Sequence, residues 1–301
     1  MSDPPIPDLV LEAGDTRVVM APAFGGHVRE LRHAGRQLLA AGRVRTPEIA
    51  ATEDFVASGM GGLDDCLPSI APLADYWGRP VPSHGELWYR PAEVVASGPS
   101  EAVLVMRGRH APYVLRRAYR LQGDRLSVRY ELEHRGETPL ALVWAAHPLL
   151  APSPGARLVG LPEGRWRVES AWRAEVAPSI SLADWDALPA RAYVKLFAPW
   201  ECGRPVTLVH PVWGVFLSVS MGDAPVRPHL GLWLNRGGFP AGAPLEHLAI
   251  EPTFGSADDL PSAQADGSCL VVAPGRTATW SVDYTLGTLD GDRFPGPPQD
   301  G

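Results

Sequence analysis

Residues 113–133 read YVLRRAYRLQGDRLSVRYELE, and this stretch decides the fold class. Apolar residues alternate with polar ones on both sides of Gly123-Asp124, for example at Leu126 and Val128. A period of two residues is typical of a strand with one buried face, and a Gly-Asp pair between two such runs indicates a turn. The stretch therefore predicts two antiparallel strands joined as a hairpin.

The same alternation recurs along the chain, together with 31 glycines and 32 prolines that favour turns over long helices. Further strand-like runs lie at Leu9–Glu12, Arg17–Ala21, Val28–Leu31, Leu87–Val95, Ala102–Arg107, Leu140–His147, Ala192–Phe197, Leu230–Leu234, Leu248–Glu251 and Cys269–Val272. Short helices are predicted only near Leu182–Leu188 and Ser256–Gln264. Many short strands at this spacing predict an all-β protein, a large antiparallel β-sandwich with a few short helices.

No linker, internal repeat or low-complexity tract divides the 301 residues. All-β domains of about 200–250 residues are common, so this length does not require two domains. We expect residues 1–301 to form a single β-sandwich domain, with a core at about 8–286 and a flexible tail at 287–301.

Charge and composition exclude several classes of protein. With 27 Lys and Arg against 34 Asp and Glu, the net charge of −7 argues against a nucleic-acid partner, because phosphate binding needs a positive field. No apolar run is long enough for a transmembrane helix, and residues 1–8 have no signal-peptide pattern. Three widely spaced cysteines form neither a disulfide framework nor a metal motif. We expect a soluble, cytoplasmic protein without cofactor, metal or membrane partner. The single lysine, Lys195, lies in a strand-like run, which argues against Schiff-base chemistry.

Two of the nine histidines stand out by their surroundings. His84 follows a Pro-Ser turn, precedes a glycine and stands at the entry of a predicted strand. His147 ends an apolar run and is followed by Pro148, where we expect the strand to break, because proline cannot continue a central ladder. A titratable group at such a strand end can serve catalysis at the mouth of a sandwich, although structural histidines in these positions are also common.

Carboxylates supply the matching candidates. Glu251 follows an apolar strand and precedes Pro252. Burial there would raise the pKa of its carboxyl and make it a useful base, while a salt-bridged strand end is the alternative. Asp64 and Asp65 lie in a glycine-rich loop, where they can bind sugar hydroxyls or a divalent cation, or cap a turn.

Aromatic and amide side chains near these groups could bind a sugar. Sugar C–H faces stack on aromatic rings, while sugar hydroxyls form directional hydrogen bonds. Glu86 and Trp88 follow His84 closely, and Trp233 and Asn235 share another strand-like run. Each tryptophan can equally be a core residue.

Taken in order, these motifs resemble the aldose 1-epimerase (galactose mutarotase) superfamily over about residues 8–286. The resemblance rests on the opening strand and Gly25-Gly26 turn, the His84-Gly85 pair, the His147-Pro148 motif, Glu251-Pro252 followed by Asp258, and the closing Pro274-Gly275 turn. It implies that Glu251 is the general base, that His147 is the general acid, and that His84 orients the sugar. Such an enzyme opens and recloses an aldose ring without a cofactor.

The sequence also departs from that family. Its Asn-Arg pair upstream of the first histidine is missing, and the region reads GGLDDCLP at residues 61–68. No counterpart of the sugar-binding aspartate can be placed; the corresponding region reads GLWLN at residues 231–235. These differences leave the substrate open, including whether it is a free or a phosphorylated aldose.

Three hypotheses follow. The first is an isomerase that interconverts the α and β anomers of an aldose. The second is a non-catalytic carbohydrate-binding or sugar-sensing sandwich. The third is a glycoside-cleaving enzyme that pairs Glu251 with Glu86 or Asp65, which requires carboxyl groups about 5–5.5 Å or 6.5–9.5 Å apart.

Overall fold

A computed structural model describes residues 6–174 and 182–289. The described residues form 22 strands, two short α-helices and two 3₁₀ turns. All the ladders between strands are antiparallel, which confirms the predicted all-β class.

The bounds of the elements are as follows. The strands are β1 Leu9–Ala13, β2 Thr16–Ala21, β3 His27–His33, β4 Arg36–Gln37, β5 Leu63–Cys66, β6 Leu73–Tyr76, β7 Arg79–Val81, β8 Glu93–Ser97, β9 Glu101–Arg107, β10 Tyr113–Gln122, β11 Arg125–His134, β12 Leu140–Leu142, β13 Trp144–Leu150, β14 Arg157–Val159, β15 Arg167–Trp172, β16 Ala192–Pro199, β17 Val206–His210, β18 Val215–Met221, β19 His229–Arg236, β20 Glu246–Phe254, β21 Leu270–Val272 and β22 Thr277–Thr288. The helices are α1 Pro47–Ala50 and α2 Leu260–Ala265, and the 3₁₀ turns are Pro22–Phe24 and Trp185–Ala187.

Two large sheets pack face to face. The larger has the order β1-β2-β3-β5-β13-β20-β19-β16-β15, with β4 added to β3. The smaller has the order β14-β17-β18-β22-β11-β10-β9-β8. Its centre is the predicted hairpin, in which β10 and β11 pair from Tyr113 opposite His134 to Gln122 opposite Arg125.

The main core lies between these sheets and is filled by alternate residues of each strand. Tyr130 and Trp280 stack at its centre with ring centroids 5.2 Å apart, and Trp144 packs edge-on against both. On the opposite face of the large sheet, a second apolar cluster includes Phe55, Trp88 and Ala249. We call this outer face the site face.

Strand β13 and strand β20 are paired at both ends but not in the middle. Their ladder joins Ala145 to Thr253 and resumes at Leu149 opposite Ala249. Pro148 and Pro252 lie in the gap, and proline has no N–H to donate to a ladder. The gap opens the sheet at one place without ending either strand.

Several local expectations need correction. The strand does not break at Pro148, because β13 pairs with β5 as far as Pro148 and with β20 again at Leu149 and Leu150. Residues 87–92 of the expected strand Leu87–Val95 form turns, and only Glu93–Ser97 is extended. Asp64 and Asp65 belong to β5 rather than to a loop. The expected tail at 287–301 overlaps the last two residues of β22, which reaches Thr288; residues 290–301 lie outside the described residues.

Within the described part of the chain, no helix combines the length and the apolar character needed to cross a membrane.

Candidate active site

His147 and Glu251 face each other where the two prolines interrupt the ladder. The register on both sides of the gap places these residues directly opposite one another on β13 and β20. His147 Nε2 lies 3.8 Å from Glu251 Oε1. Glu251 is fully buried and His147 is 6% exposed. Glu251 Oε1 and His147 Nδ1 are buried and have no hydrogen-bond partner among the described residues.

These two residues belong to a lateral row across five strands. Asp64 of β5 is opposite His147, and Gly231 of β19 is opposite Glu251, followed by Phe197 of β16. Residues in one row point to the same face of a sheet. The row therefore brings an aspartate, a histidine and a glutamate together on the site face.

Lys195 of β16 reaches this row from the neighbouring one. Its ammonium group is ion-paired with Glu251 Oε2 and lies 3.7 Å from Asp258 Oδ1. The Lys195 side chain is 5% exposed, and that of Asp258 is 25% exposed. Glu251 thus has a cation on one oxygen and an imidazole facing the other.

His84 lies beside His147, as the resemblance implies. Their ring centroids are 4.9 Å apart. His84 is not at the entry of a strand but in a turn with a positive φ of 65°, and Gly85 lets this turn pass against the backbone of Leu67. The Phe55 ring stacks on His84 at 3.7 Å and meets His147 edge-on at 5.6 Å. The Phe55 ring therefore covers His84 and packs against His147.

Asp64 and Asp65 point to opposite faces of β5, because successive side chains of a strand alternate. Asp64 lies on the site face, where Arg45 donates to both of its oxygens at 2.7 and 2.5 Å and His27 donates at 3.0 Å. Asp65 points into the core between the sheets and accepts hydrogen bonds from Arg117, Tyr130 and Trp144.

The other residues predicted to contact a sugar lie around the site rather than in it. Glu86 is fully buried and accepts hydrogen bonds from Tyr113, His110, Arg90 and the backbone N–H of Arg109. Trp88 is 1% exposed and packs edge-on against Phe55.

Trp233 and Asn235 share the site face of β19 but differ in accessibility. Asn235 is fully buried and holds the following turn through Gly238 and Phe239. Trp233 is half-buried, stands next to Lys195 in the register and stacks obliquely on Tyr193 at 5.0 Å. Its ring is the one of these side chains that still offers a surface to a ligand.

Sequence reasoning missed Arg45, Phe55 and Lys195 as site residues. Arg45 and Phe55 lie in a turn-rich segment with no pattern that marks them. Lys195 carried a usable signal, because it is the only lysine of the chain and lies in an apolar run. A lone lysine in an apolar run indicates a buried ion pair as well as arguing against Schiff-base chemistry.

No family model matches this chain. Over 203 residues it is 23% identical to the uncharacterized protein YphB of Escherichia coli (strain K12), covering 65% of this chain and 68% of YphB. A structure from E. coli K12, provisionally named an aldose 1-epimerase, has a TM-score of 0.70 at 17% identity and covers 94% of this chain and 99% of that one. A galactose mutarotase related enzyme from Lactobacillus acidophilus has a TM-score of 0.66 at 16% identity, with coverages of 96% and 100%.

The chain has the galactose mutarotase-like fold. The similarity extends over nearly the whole of both compared structures, so it covers the two sheets and not a single motif. At these identities it establishes the architecture, while the chemistry has to be argued from this chain's own residues.

Burial dominates the electrostatics of the two histidines in this candidate site. Burial, together with the charge of Lys195, lowers the pKa of His147 to about 3. Burial and the neighbouring His147 also hold the pKa of His84 well below its usual range. Both rings are therefore neutral at neutral pH in the unliganded site, which differs from our expectation of a protonated His147.

The charged groups behave differently because they are paired. Burial acts to lower the pKa of Lys195, but Glu251 and Asp258 outweigh it, so that pKa is raised. Burial and the negative charge of Glu251 raise the pKa of Asp258. Arg45 and His27 overcome the effect of burial on Asp64 and lower the pKa of its carboxyl. At neutral pH the site thus holds a protonated lysine among carboxylates.

The buried histidines predict that the fold loses stability in acid. Burial lowers the pKa of His210 and of His247 to about 4, whereas an unfolded histidine titrates near 6.5. Between these values the unfolded chain binds more protons, so the free energy of unfolding falls as the pH falls. At about pH 5 each such group costs about 2 kcal/mol relative to neutral pH. Urea unfolding at about pH 7.5 and pH 5 measures the difference.

His210 provides the control, since it lies outside the site and bonds to Ser153. His210→Gln removes one titrating group and should reduce the difference between the two pH values by about 2 kcal/mol, even if the variant is less stable overall. An unchanged difference would show that His210 does not titrate as its burial implies.

The arrangement can transfer protons to and from a bound molecule. The carboxylate of Glu251 and the imidazole of His147 face each other at less than 4 Å, and Lys195 forms an ion pair with the second oxygen of Glu251. Among the described residues, no group of three or more His, Cys, Asp or Glu side chains is placed to hold a metal ion.

Proposed function

We propose that this protein is an aldose 1-epimerase that interconverts the α and β anomers of a sugar. The observation that supports this function is the opposition of His147 and Glu251 across a proline-interrupted ladder, with Nδ1 and Oε1 left without partners. The names of the structures with the same fold agree with it.

In this mechanism Glu251 accepts the proton of the anomeric O1 hydroxyl through Oε1. His147 donates a proton to the ring oxygen O5 as the C1–O5 bond breaks, which leaves an open-chain aldehyde. After rotation about C1–C2, the O5 hydroxyl attacks the other face of the aldehyde. His147 takes back its proton and Glu251 returns the other to O1, so that no proton is lost or gained. Each positioned proton transfer contributes about 10²–10⁴-fold.

To act as the acid, His147 must carry a proton. In the unliganded site it is neutral at neutral pH, because burial lowers its pKa to about 3. We propose that His147 gains this proton when a sugar displaces Phe55 and brings hydroxyl groups against the ring.

We assign supporting roles to the other predicted residues. His84 orients the sugar beside His147, and Trp233 supplies a stacking surface at the open side of the site. Asp64 and Trp88 hold Arg45 and Phe55 in place, whereas Asp65, Glu86 and Asn235 support the strands and turns behind them.

The glycoside-cleaving alternative has less support. Its proposed carboxylates, Glu86 and Asp65, are fully engaged with protein partners, and His147 rather than a carboxylate faces Oε1 of Glu251. Because Glu251 is buried, sugar binding without catalysis is the main alternative to the epimerase.

Magnetisation exchange between α and β anomers, followed by NMR over a panel of free and 6-phosphorylated aldoses, tests the proposal. We expect protein-dependent acceleration above the spontaneous rate for at least one sugar, and the panel identifies it. Saturable line broadening without acceleration would replace the enzyme with a sugar-binding module. No effect on any sugar would contradict both.

Gly231 allows a prediction at the edge of the catalytic pair. A Cβ at this position would lie 3.1 Å from Glu251 Oε2 and 3.3 Å from the ring of Phe197, so the carboxylate would have to shift. Small displacements of catalytic groups cost up to about 10²-fold, and we expect Gly231→Ala to slow anomerisation roughly 10- to 100-fold. The matched control is Gly242→Ala, because nothing lies within 4 Å of a Cβ there. Equal rates in both variants would mean that Glu251 is not positioned through Gly231.

A further inference from the structure

The single lysine of the chain spans two strands to reach the catalytic pair. Lys195 stands opposite Trp233 on β19, one row away from Gly231 and Glu251. Its side chain passes across β19 beside Gly231, which has no side chain to block it. The ammonium group contacts Glu251 Oε2, lies 3.7 Å from Asp258 Oδ1 and is 5.1 Å from the centre of the Phe197 ring.

The ion pair of Lys195 and Glu251 leaves one carboxylate oxygen without a partner. Burying a lysine and a carboxylate costs several kcal/mol unless both are well satisfied. Yet only one oxygen of Glu251 is bound by Lys195, and the other, Oε1, is buried without a hydrogen bond and turned toward His147. Most buried polar atoms in folded proteins have a hydrogen-bond partner, so an open carboxylate oxygen turned toward an imidazole fits an atom that binds a substrate.

The charges around Lys195 explain what it does for Glu251. Two carboxylates, Glu251 and Asp258, share this one ammonium group. Glu169 adds a third negative group beyond Asp258, and its own pKa is raised by burial and by Asp258. Arg167 lies 3.0 Å from Glu169 and offsets part of its charge. The other titratable groups near the Lys195–Glu251 pair are Cys66 of β5 and His147 of β13. Without Lys195, Glu251 and Asp258 would be like charges in a buried place, where one of them takes up a proton.

We propose that Lys195 is a positioning residue that binds Oε2 of Glu251 and turns Oε1 toward the substrate. This inference rests on the proposed acid/base function and adds to it a group outside the catalytic pair. Lys195 does not touch the sugar in this scheme and forms no covalent bond with it. Its contribution is the orientation of the base and the positive charge beside it.

The pH–rate profile separates this role from a merely structural one. In Lys195→Met the acid limb of anomerisation should move to higher pH by about one unit, because the two buried carboxylates then lack the cation that they share. We expect kcat to fall about 10-fold or more with KM changed less than about 3-fold, since the loss is in proton transfer. Lys195→Arg, which keeps the cation, should restore the position of the limb. Adding Asp258→Asn to Lys195→Met should also move the limb back, because it removes the like charge.

A second measurement does not depend on activity or on the methionine variant. Because Lys195 is the only lysine, protein labelled with ¹⁵N-lysine has one side-chain ammonium group, provided that any tag lacks lysine. We expect one ammonium signal that stays charged to higher pH in the wild type than in Glu251→Gln. Glu246→Gln should not change it, since Glu246 lies exposed on the same strand.

The outcomes distinguish the two proposals. Acceleration in the wild type with an unmoved acid limb in Lys195→Met, or a lysine signal unaffected by Glu251→Gln, overturns the role of Lys195 and leaves the epimerase intact. If Lys195→Met does not fold, the lysine signal in the wild type and in Glu251→Gln still decides. A wild-type protein without acceleration overturns the epimerase itself, and with it any part of Lys195 in proton transfer.

Discussion

Glu251→Gln is expected to slow anomerisation by about 10³-fold or more, in line with the loss of one positioned proton transfer and the charge that supports it. An amide has nearly the shape of the carboxylate but cannot accept the O1 proton. It also leaves the ammonium of Lys195 with Asp258 as its remaining carboxylate at 3.7 Å. The rates are measured by NMR exchange at saturating sugar, together with an unfolding curve for each protein.

The control is Glu246→Gln, the same substitution five residues earlier on β20. Glu246 is exposed and opposite Arg236, so its loss should leave the rate within about two-fold of the wild type, as for most surface changes. An active Glu251→Gln protein would rule out Glu251 as the base, even if the wild type accelerates anomerisation.

The second large effect is expected on stability, in the core behind the site. Arg117 is buried between the sheets, where it donates to Asp65 at 2.8 Å, while Tyr130 and Trp144 donate to the other oxygen of Asp65. Arg117→Met keeps most of the volume but leaves Asp65 as a buried charge without its cation. Removing one partner of such a pair typically costs about 3–5 kcal/mol, and we expect a loss of this size in urea unfolding.

Two further variants test the cause of this loss. Arg120→Met is an exposed change on the same strand and should alter stability by less than about 0.5 kcal/mol. Arg117→Met combined with Asp65→Asn removes both charges and should recover part of the loss, because no unpaired charge remains. A double variant less stable than Arg117→Met would show that packing, not charge, dominates at this place.

The fold class could be predicted because it depends on local patterns. The alternation around Gly123-Asp124 determines which side chains can be buried together, and β10 and β11 pair as expected. The motifs His147-Pro148 and Glu251-Pro252 were also recognisable in the sequence. Their setting was not, since we expected strand ends and the structure has two continuous strands with a gap between them.

The remaining differences arise from contacts between distant segments. A glycine-rich stretch that reads as a loop becomes β5, because it is paired with β13. This pairing sends Asp64 to the site and Asp65 to the core, although the two are neighbours in sequence and looked equivalent. Arg45 and Phe55 enter the site from a segment without regular alternation, so no periodic signal could place them there.

An antiparallel sandwich could be predicted from residue order alone, because period-two alternation is a local property. The motifs around His84, His147 and Glu251, read through their resemblance to a known superfamily, marked these side chains as candidates. Folding adds that His147 and Glu251 face each other, that Lys195 binds the second oxygen of Glu251, and that Phe55 covers His84. These contacts depend on register, since the alignment of strands far apart in sequence sets which residues share a row, and a shift of one residue would turn every side chain to the other face.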